Sequence, residues 1–285
     1  MVGILSLRFR DGAPLSTQQR DLLDACVRQI ALVLDRQRLR DAEQEAKLAT
    51  ESERLSKTLL NSISHEIRTP IAAIGSAASS LADRTGSESP EFRETMVREI
   101  QEAAARLNRL VGNLLNMTRL ESGHVRPKLE WCDVGDLIQV TLKDSARDLA
   151  RHTLKTEIEP NLPLVQMDFV LMQQALTNLL LNAAIHTPPG TTVELRVRTT
   201  ADGLIVSVAD RGPGLPVEAL PMLFDKFYRA PNAPAGGTGL GLAIVKGFVR
   251  AQNGQVKAEN RDGGGAIFTI RLPIARPPPF VPDAS

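Results

Sequence analysis

The clearest pattern in the chain is a set of apolar residues recurring in steps of three and four over residues 91–121: Phe92, Met96, Ile100, Ala103, Leu107, Leu110, Leu114 and Met117. At that period side chains return to one side of an α-helix. A comparable stripe precedes it, through Leu55, Leu59, Ile63, Ile67, Ile71 and Ile74. Between them lies Asp83-Arg-Thr-Gly-Ser-Glu-Ser-Pro90, a turn by composition. Together they predict an antiparallel helical hairpin over 55–122. A lone hairpin leaves one apolar face in water, so two hairpins pairing into a four-helix bundle is the economical arrangement. A hairpin packed on its own C-terminal domain is the alternative.

Residues 36–54 are strong helix formers with hardly any core face, which predicts a connecting helix. One continuous helix from about 17 to 82 follows, with Pro70 its only break. Residues 2–10 read as a strand, Asp11-Gly12 and Pro14 as a turn. Ser16 or Thr17 can cap a helix carrying Leu22, Leu23, Cys26, Ile30, Val33 and Leu34. One strand and one helix cannot bury a core, so residues 1–35 read as the end of a larger domain or a remnant packing in a dimer.

From about 128 the pattern becomes mixed. Helices are expected near 134–150, 168–186 and 239–252, and strands near 153–158, 192–199, 204–210, 255–260 and 266–272. The fold class is α+β: a helical hairpin, then an α/β sandwich over 128–273 with helices on one face of a single sheet. The proline-rich end, 274–285, is expected to be disordered.

Composition narrows the chemistry. The 285 residues suffice for two modest domains and a connector, and a net charge of +1 gives no basic field for nucleic acid. Cys26 and Cys132 lie far apart and form no metal-type pair. No apolar run approaches the roughly 20 residues that span a bilayer, and no signal-peptide pattern opens the chain. As it stands the polypeptide reads as soluble and cytoplasmic.

Chemistry concentrates in four segments. The first is Ser64-His65-Glu66-Ile67-Arg68-Thr69-Pro70. Ile63 and Ile67 lie on the apolar side, which tips the His65 imidazole towards solvent. Glu66 could accept a proton from one ring nitrogen and leave the other a better nucleophile. Pro70 lacks an N–H, frees the Glu66 carbonyl and favours a bend. Thr69, one turn on, could position a water or a partner side chain. A helical histidine alone is as readily a surface residue. Asn178 and Asn182 are one helical turn apart, with carbonyl oxygens suited to magnesium bridging phosphates. Asp210 ends an apolar strand and enters Arg211-Gly212-Pro213-Gly214, where a carboxylate can accept an adenine amine and the glycines let the backbone approach. Gly236-Gly237-Thr238-Gly239-Leu240-Gly241 precedes an apolar helix, a setting for phosphate on backbone N–H groups. It is neither a P-loop nor a dinucleotide fingerprint. Between the glycine segments, Leu223 to Arg229 and a small-residue loop fit a hinged lid. There Phe224 and Phe227 would pack, and Arg229 or Lys226 could reach phosphate.

In this order the segments resemble the transmitter region of two-component sensor histidine kinases, over about 50–273. His65 corresponds to the phosphoacceptor box, and the others to the N, G1, F and G2 boxes of an ATP-binding fold shared with gyrase, Hsp90 and MutL ATPases. Residues 16–70, with Gln19-Arg20-Asp21-Leu22-Leu23, Gln29-Ile30-Ala31, Glu51-Ser52-Glu53-Arg54-Leu55 and Leu59 to His65, are similar to potassium-responsive sensor kinases of the Kdp type; Glu130-Trp131 agrees. The resemblance implies a GAF-domain remnant at 1–35, with membrane spans and sensing domains upstream.

It also implies roles. His65 would take the γ-phosphoryl group of ATP, with Glu66 as general base and Thr69 beside them. Asn178 and Asn182 would hold Mg2+. Asp210, Gly212, Gly214, His186, Phe224, Phe227 and Arg229 would form the nucleotide site, with Gly237, Thr238, Gly239, Leu240 and Gly241 at the phosphates. A homodimer would pass the phosphoryl group to an aspartate of a response regulator, and Glu66 and Thr69 also fit dephosphorylation of that regulator. One departure stands out: the family's usual lysine–aromatic pair after the second asparagine is Ile185-His186 here. A missing ammonium predicts weaker ATP binding, with His186 stacking on or bordering the adenine. A nucleotide-binding regulatory module and a gyrase-type ATPase are the rival readings.

Overall fold

The computed structural model describes residues 16–82, 89–201, 203–230 and 237–274. The expected strand at 2–10, most of the turn at 83–90 and the tail from 275 lie outside the described residues. The chain divides into two units, Met1–Ser62 and Ile63–Ser285.

Within the first unit the described backbone is helical, the beginning of α1 (Thr17–Ala82). Ser16 and Gln19 start it reciprocally: the Gln19 N–H donates to Ser16 Oγ, and the Ser16 N–H donates to Gln19 Oε1. Leu22, Leu32, Val33 and Leu39 are exposed, as expected of a stretch that encloses no core of its own.

The second unit begins with the remainder of α1 and its partner α2 (Pro90–Glu121). The Phe92 N–H donates to Ser89 Oγ, Ser89 donates to Glu91, and Pro90 opens the helix. The α2 stripe is buried at Ala103, Leu110 and Met117. The α1 stripe differs from expectation: Glu66, Pro70 and Ala77 are buried, whereas Ile71 is 52% exposed. A two-helix hairpin gives each helix one neighbour, so part of each apolar stripe stays open; Val97, Val111 and Leu115 of α2 are exposed too. The helix runs through Pro70 without interruption.

Beyond Ser122 the chain forms the α/β sandwich. Its elements are β1 (Glu130–Cys132), α3 (Val134–Ser145), β2 (Thr153–Ile158), β3 (Val165–Met167), α4 (Phe169–His186), β4 (Thr192–Thr200), β5 (Gly203–Ala209), a 3-10 turn (Val217–Met222), α5 (Gly241–Ala251), β6 (Gln255–Asn260) and β7 (Ala266–Leu272). The main sheet has the order β2-β4-β5-β7-β6, with β2 and β4 parallel and the other neighbours antiparallel. Val193, Leu195 and Val197 alternate with Glu194, Arg196 and Arg198, so one face of β4 is apolar. With Val206, Val208, Phe268 and Ile270 it meets Leu137 and Ile138 of α3, Met172, Leu176 and Leu179 of α4, and Val245 and Val249 of α5. Asp133 and Asp168 cap α3 and α4 by accepting from Asp136 N–H and Leu171 N–H. Two features depart from the sequence reading. α3 stops at Ser145 rather than 150. β1 and β3 form a small antiparallel pair of their own, three residues each and too short to show an alternation. No described helix is long and apolar enough to cross a membrane.

Candidate nucleotide site and phospho-acceptor helix

His65 stands exposed on α1. Its neighbour Glu66 turns the other way: it is 8% exposed, and Arg106 of α2 donates from Nη2 to its Oε2 at 3.0 Å. Successive helical residues are about 100° apart, so adjacency in sequence sends the imidazole to solvent and the carboxylate into the hairpin. In this arrangement the carboxylate serves Arg106 and not the imidazole. Thr69 donates its hydroxyl to the His65 carbonyl at 3.1 Å, which ties that side chain to the helix backbone.

α4 carries Asn178 and Asn182 beside the buried Leu179, Leu180 and Ala183, and both asparagines are half-buried. At the end of α4, Ile185 is 51% exposed. Thr187 donates to the Ala183 carbonyl at 2.7 Å and closes the helix. His186 is open to solvent on one side, but crowding of the ring lowers its pKa; Asp210 opposes that shift and Arg229 reinforces it. The neutral imidazole is therefore favoured beside Asp210.

Asp210 is buried just past the end of β5. Its Oδ1 accepts from Gly212 N–H at 2.8 Å and Ala266 N–H at 3.1 Å, and its own N–H donates to the Ala266 carbonyl at 2.9 Å. Among the described residues no donor reaches Oδ2. A Cβ on Gly212 would press on Thr187 Cγ2 at 2.9 Å and on the His186 carbonyl at 3.0 Å, so the glycine lets this turn lie against the end of α4. Asn260 braces the same turn: Leu215 N–H donates to its Oδ1 at 2.7 Å, and its Nδ2 donates to the Leu215 carbonyl at 2.8 Å. Gly214 lies against that Oδ1.

The aromatic segment anchors the far side. Phe224 packs on the main core. Phe227 joins a second cluster with Leu240, Ile244, Phe248 and Met117. Its backbone sits at φ 64° and its N–H donates to the Gly239 carbonyl at 3.0 Å. A Cβ on Gly239, itself at φ 67°, would strike the Phe227 backbone at 2.6 Å. Leu240 is buried among these residues, so its side chain is an anchor and only its backbone can face a ligand. The Leu240 N–H donates to Thr238 Oγ1 at 3.4 Å, and a Cβ at Gly237 or Gly241 would meet nothing. Among the described residues no side chain caps the N-terminus of α5, leaving its first amides for an incoming anion. Arg229 faces His186 electrostatically.

The hairpin meets this side of the sandwich. Leu120 of α2 packs into the second cluster and lies over Gly247 of α5, where a Cβ would meet Leu120 Cδ1 at 2.6 Å. Lys226 pairs with Glu121 at 2.7 Å. The end of α2 thus rests on the C-terminal domain, while Val97, Val111 and Leu115 of the same helix stay exposed.

A buried aspartate whose Oδ2 receives no donor among the described residues, in a glycine-lined turn, with two half-buried amides one turn apart and a helix N-terminus that no described side chain caps, fits a purine nucleotide and a phosphate-bound cation. Together with a surface histidine on a helical hairpin they define a phosphoryl-transfer protein of two domains. Comparison with known proteins agrees. Residues 55–123 match the His Kinase A (phospho-acceptor) domain, and residues 167–276 match the family described as histidine kinase-, DNA gyrase B-, and HSP90-like ATPase. The sensor protein KdpD of Clostridium acetobutylicum is 32% identical over 96% of this chain and 31% of its own length. The solved structure of ShkA in complex with AMPPNP is 26% identical, with a TM-score of 0.55 over 77% of this chain and 46% of that one. The histidine kinase ThkA in complex with the response regulator protein TrrA has a TM-score of 0.56 at 23% identity, over 75% of this chain and 60% of that one. The chain belongs to the sensor histidine kinases. It spans about a third of the length of the curated relatives it matches.

Thr187, Asn260, Arg261 and Gly265 surround Asp210 but were not among the residues singled out from sequence. The Asn260-Arg261-Asp262-Gly263-Gly264-Gly265 run was a signal that could have found three of them.

Proposed function

We propose that this chain is an ATP-dependent protein histidine kinase core that phosphorylates His65 and passes the group to an aspartate of a response regulator. The observation that carries the reading is Asp210, buried, held through Oδ1 and open at Oδ2, in the same chain as an exposed helical histidine. Oδ2 accepts the amine of the adenine. Neutral His186 borders the base, and the amides at the start of α5 receive the phosphates. Asn178 and Asn182 would hold Mg2+, which would neutralise charge on the phosphate chain. A neutral His65 nitrogen attacks the γ-phosphorus; the bond to the β,γ-bridging oxygen breaks, ADP leaves, and the ring proton passes to a base. Glu66 can take that role once it releases Arg106.

The exposed apolar residues of α1 and α2 support pairing of two hairpins into a four-helix bundle. The ThkA complex supports a response regulator as the partner. Similarity to KdpD along nearly all of the chain supports a potassium or osmotic pathway, and residues 1–35 as the end of a preceding GAF-like domain. Incubation with γ-labelled ATP and Mg2+ tests the central claim. Acid-labile, base-stable label that disappears in His65→Ala is expected. ATP binding without label supports the regulatory-module reading instead, and phosphate release independent of His65 would sink both.

A further inference from the structure

A cluster of charges lies behind Asp210, away from where the base would sit. Glu194 of β4 is buried on the sheet face opposite the main core and is approached by three arginines. Arg196 pairs with it at 2.8 Å and with Glu157 at 2.9 Å. Arg211 stands at 3.6 Å. Arg261, from the turn between β6 and β7, donates from Nη2 to both carboxylate oxygens at 3.2 and 3.4 Å. Arg196 and Arg211 have side chains about half exposed, whereas that of Arg261 is 16% exposed.

Arg261 differs from the other two in a second respect. Its Nη1 donates to the Asp210 carbonyl at 3.3 Å. The fork of the guanidinium therefore ties Glu194 on β4 to the backbone of Asp210 past the end of β5, a geometry that a lysine cannot reproduce. The turn that carries Arg261 is itself closed on Asp210. Arg261 N–H donates to the Gly265 carbonyl at 3.0 Å and Gly264 N–H to the Arg261 carbonyl at 3.2 Å. Gly265, at φ 95°, lies so close that a Cβ there would collide with the Asp210 carbonyl oxygen. The next residue, Ala266, supplies one of the two N–H groups on Oδ1. Among the described residues, the hydrogen bonds to Asp210 itself that do not come from its own loop come from Arg261 and Ala266.

We propose that Arg261, held by Glu194, is a positioning residue that fixes the backbone of Asp210 and so directs its open carboxylate oxygen at the purine amine, setting the preference for adenine over guanine nucleotides. The inference rests on the reading of Asp210 as the adenine acceptor. Rotating Asp210 by even a small angle would misplace Oδ2, and a misplaced acceptor loses most where the ligand offers a donor and least where it offers a carbonyl.

Calorimetric titration of the full chain with ADP and with GDP in the presence of Mg2+ tests this, alongside melting temperature. Asp210→Asn is expected to weaken ADP binding at least tenfold. Arg261→Met, which keeps the apolar stem, is expected to weaken ADP binding about tenfold while leaving GDP nearly unchanged, so that discrimination narrows by the same factor. Arg261→Lys should fall between, about threefold weaker. If Asp210→Asn weakens ADP binding but both Arg261 variants keep the wild-type ADP-to-GDP ratio, Arg261 is a fold-stabilising ion pair only and the inference fails with the site reading intact. If Asp210→Asn binds ADP as wild type does, the site reading itself fails. Should Arg261→Met not fold, the ratio measured on Arg261→Lys decides.

Discussion

The two halves of the proposed reaction are built in opposite ways. Around Asp210 nearly every polar group is assigned: Oδ1 has two N–H donors, its carbonyl has Arg261, and its loop is braced by Asn260. Around His65 the imidazole is exposed and Thr69 is turned back onto the helix. A donor site must hold one small molecule in one pose, so it benefits from over-determination. An acceptor that serves first a nucleotide and then a second protein must be reachable from outside. The difference teaches that the histidine needs presentation while the nucleotide needs enclosure.

The most severe way to break the contrast is to remove one side at a time. His65→Ala should abolish labelling from γ-labelled ATP while leaving ADP affinity within about twofold, because the imidazole touches nothing in the nucleotide site. Gly239→Val should come next. A β-branched residue at φ 67° against the Phe227 backbone should cost roughly 1–3 kcal/mol, read as a lowered melting midpoint of the C-terminal domain. Ile185→Lys should restore an ammonium at the site mouth and tighten ATP binding several-fold, a charge-assisted contact of about 1 kcal/mol; unchanged affinity would count against the missing-lysine argument.

Two pH effects sharpen the comparison further. Burial raises the Glu194 pKa, but the Arg261 hydrogen bond and the charges of Arg261, Arg196 and Arg211 bring it below its ordinary 4.5. The folded state therefore holds its proton less tightly than the unfolded chain. The stability this contributes is fully present above pH 4.5 and is lost as the pH falls through the lowered value. Glu194→Gln should flatten the melting curve's acid dependence in that window. His186 acts in the same direction at a higher pH: burial, partly offset by Asp210 and aided by Arg229, lowers its pKa from 6.5. Below pH 6.5 the unfolded chain takes up a proton that the folded one resists, so stability falls on acidification. His186→Ala should remove that slope. The smallest effect belongs to Lys226–Glu121, a half-exposed pair; Glu121→Gln should change the melting midpoint by less than about 1 kcal/mol equivalent.

Much of this was legible in the chain. The α2 stripe foretold the buried Ala103, Leu110 and Met117, because a helix periodicity is local. Strands at 153–158, 255–260 and 266–272 fell where they were expected. What escaped depends on partners distant in sequence. Glu66 read as a neighbour of His65, and only folding brings Arg106, forty residues on, to its carboxylate. The most buried side of α1 runs through Glu66, Pro70 and Ala77, with Ile63, Ile67 and Ile74 half-buried beside it and Ile71 exposed. A polar residue with a partner elsewhere looks, in one dimension, like a solvated one. Glu194, whose partner Arg261 lies 67 residues away, was invisible for the same reason.

The fit of Leu120 over Gly247 bears on exchangeability. Kinase hairpins and nucleotide domains invite recombination at the connection after Ser122, where α2 ends and Gly123 turns at φ 66°. Yet the last turn of α2 carries a side chain shaped for a notch on α5, and that notch exists only because residue 247 has no Cβ. A chimera joined there would inherit a hairpin tip and a notch selected in different molecules. Cutting instead before Met117, so that Met117, Leu120 and Glu121 travel with the nucleotide domain, would move the mating surface as one piece.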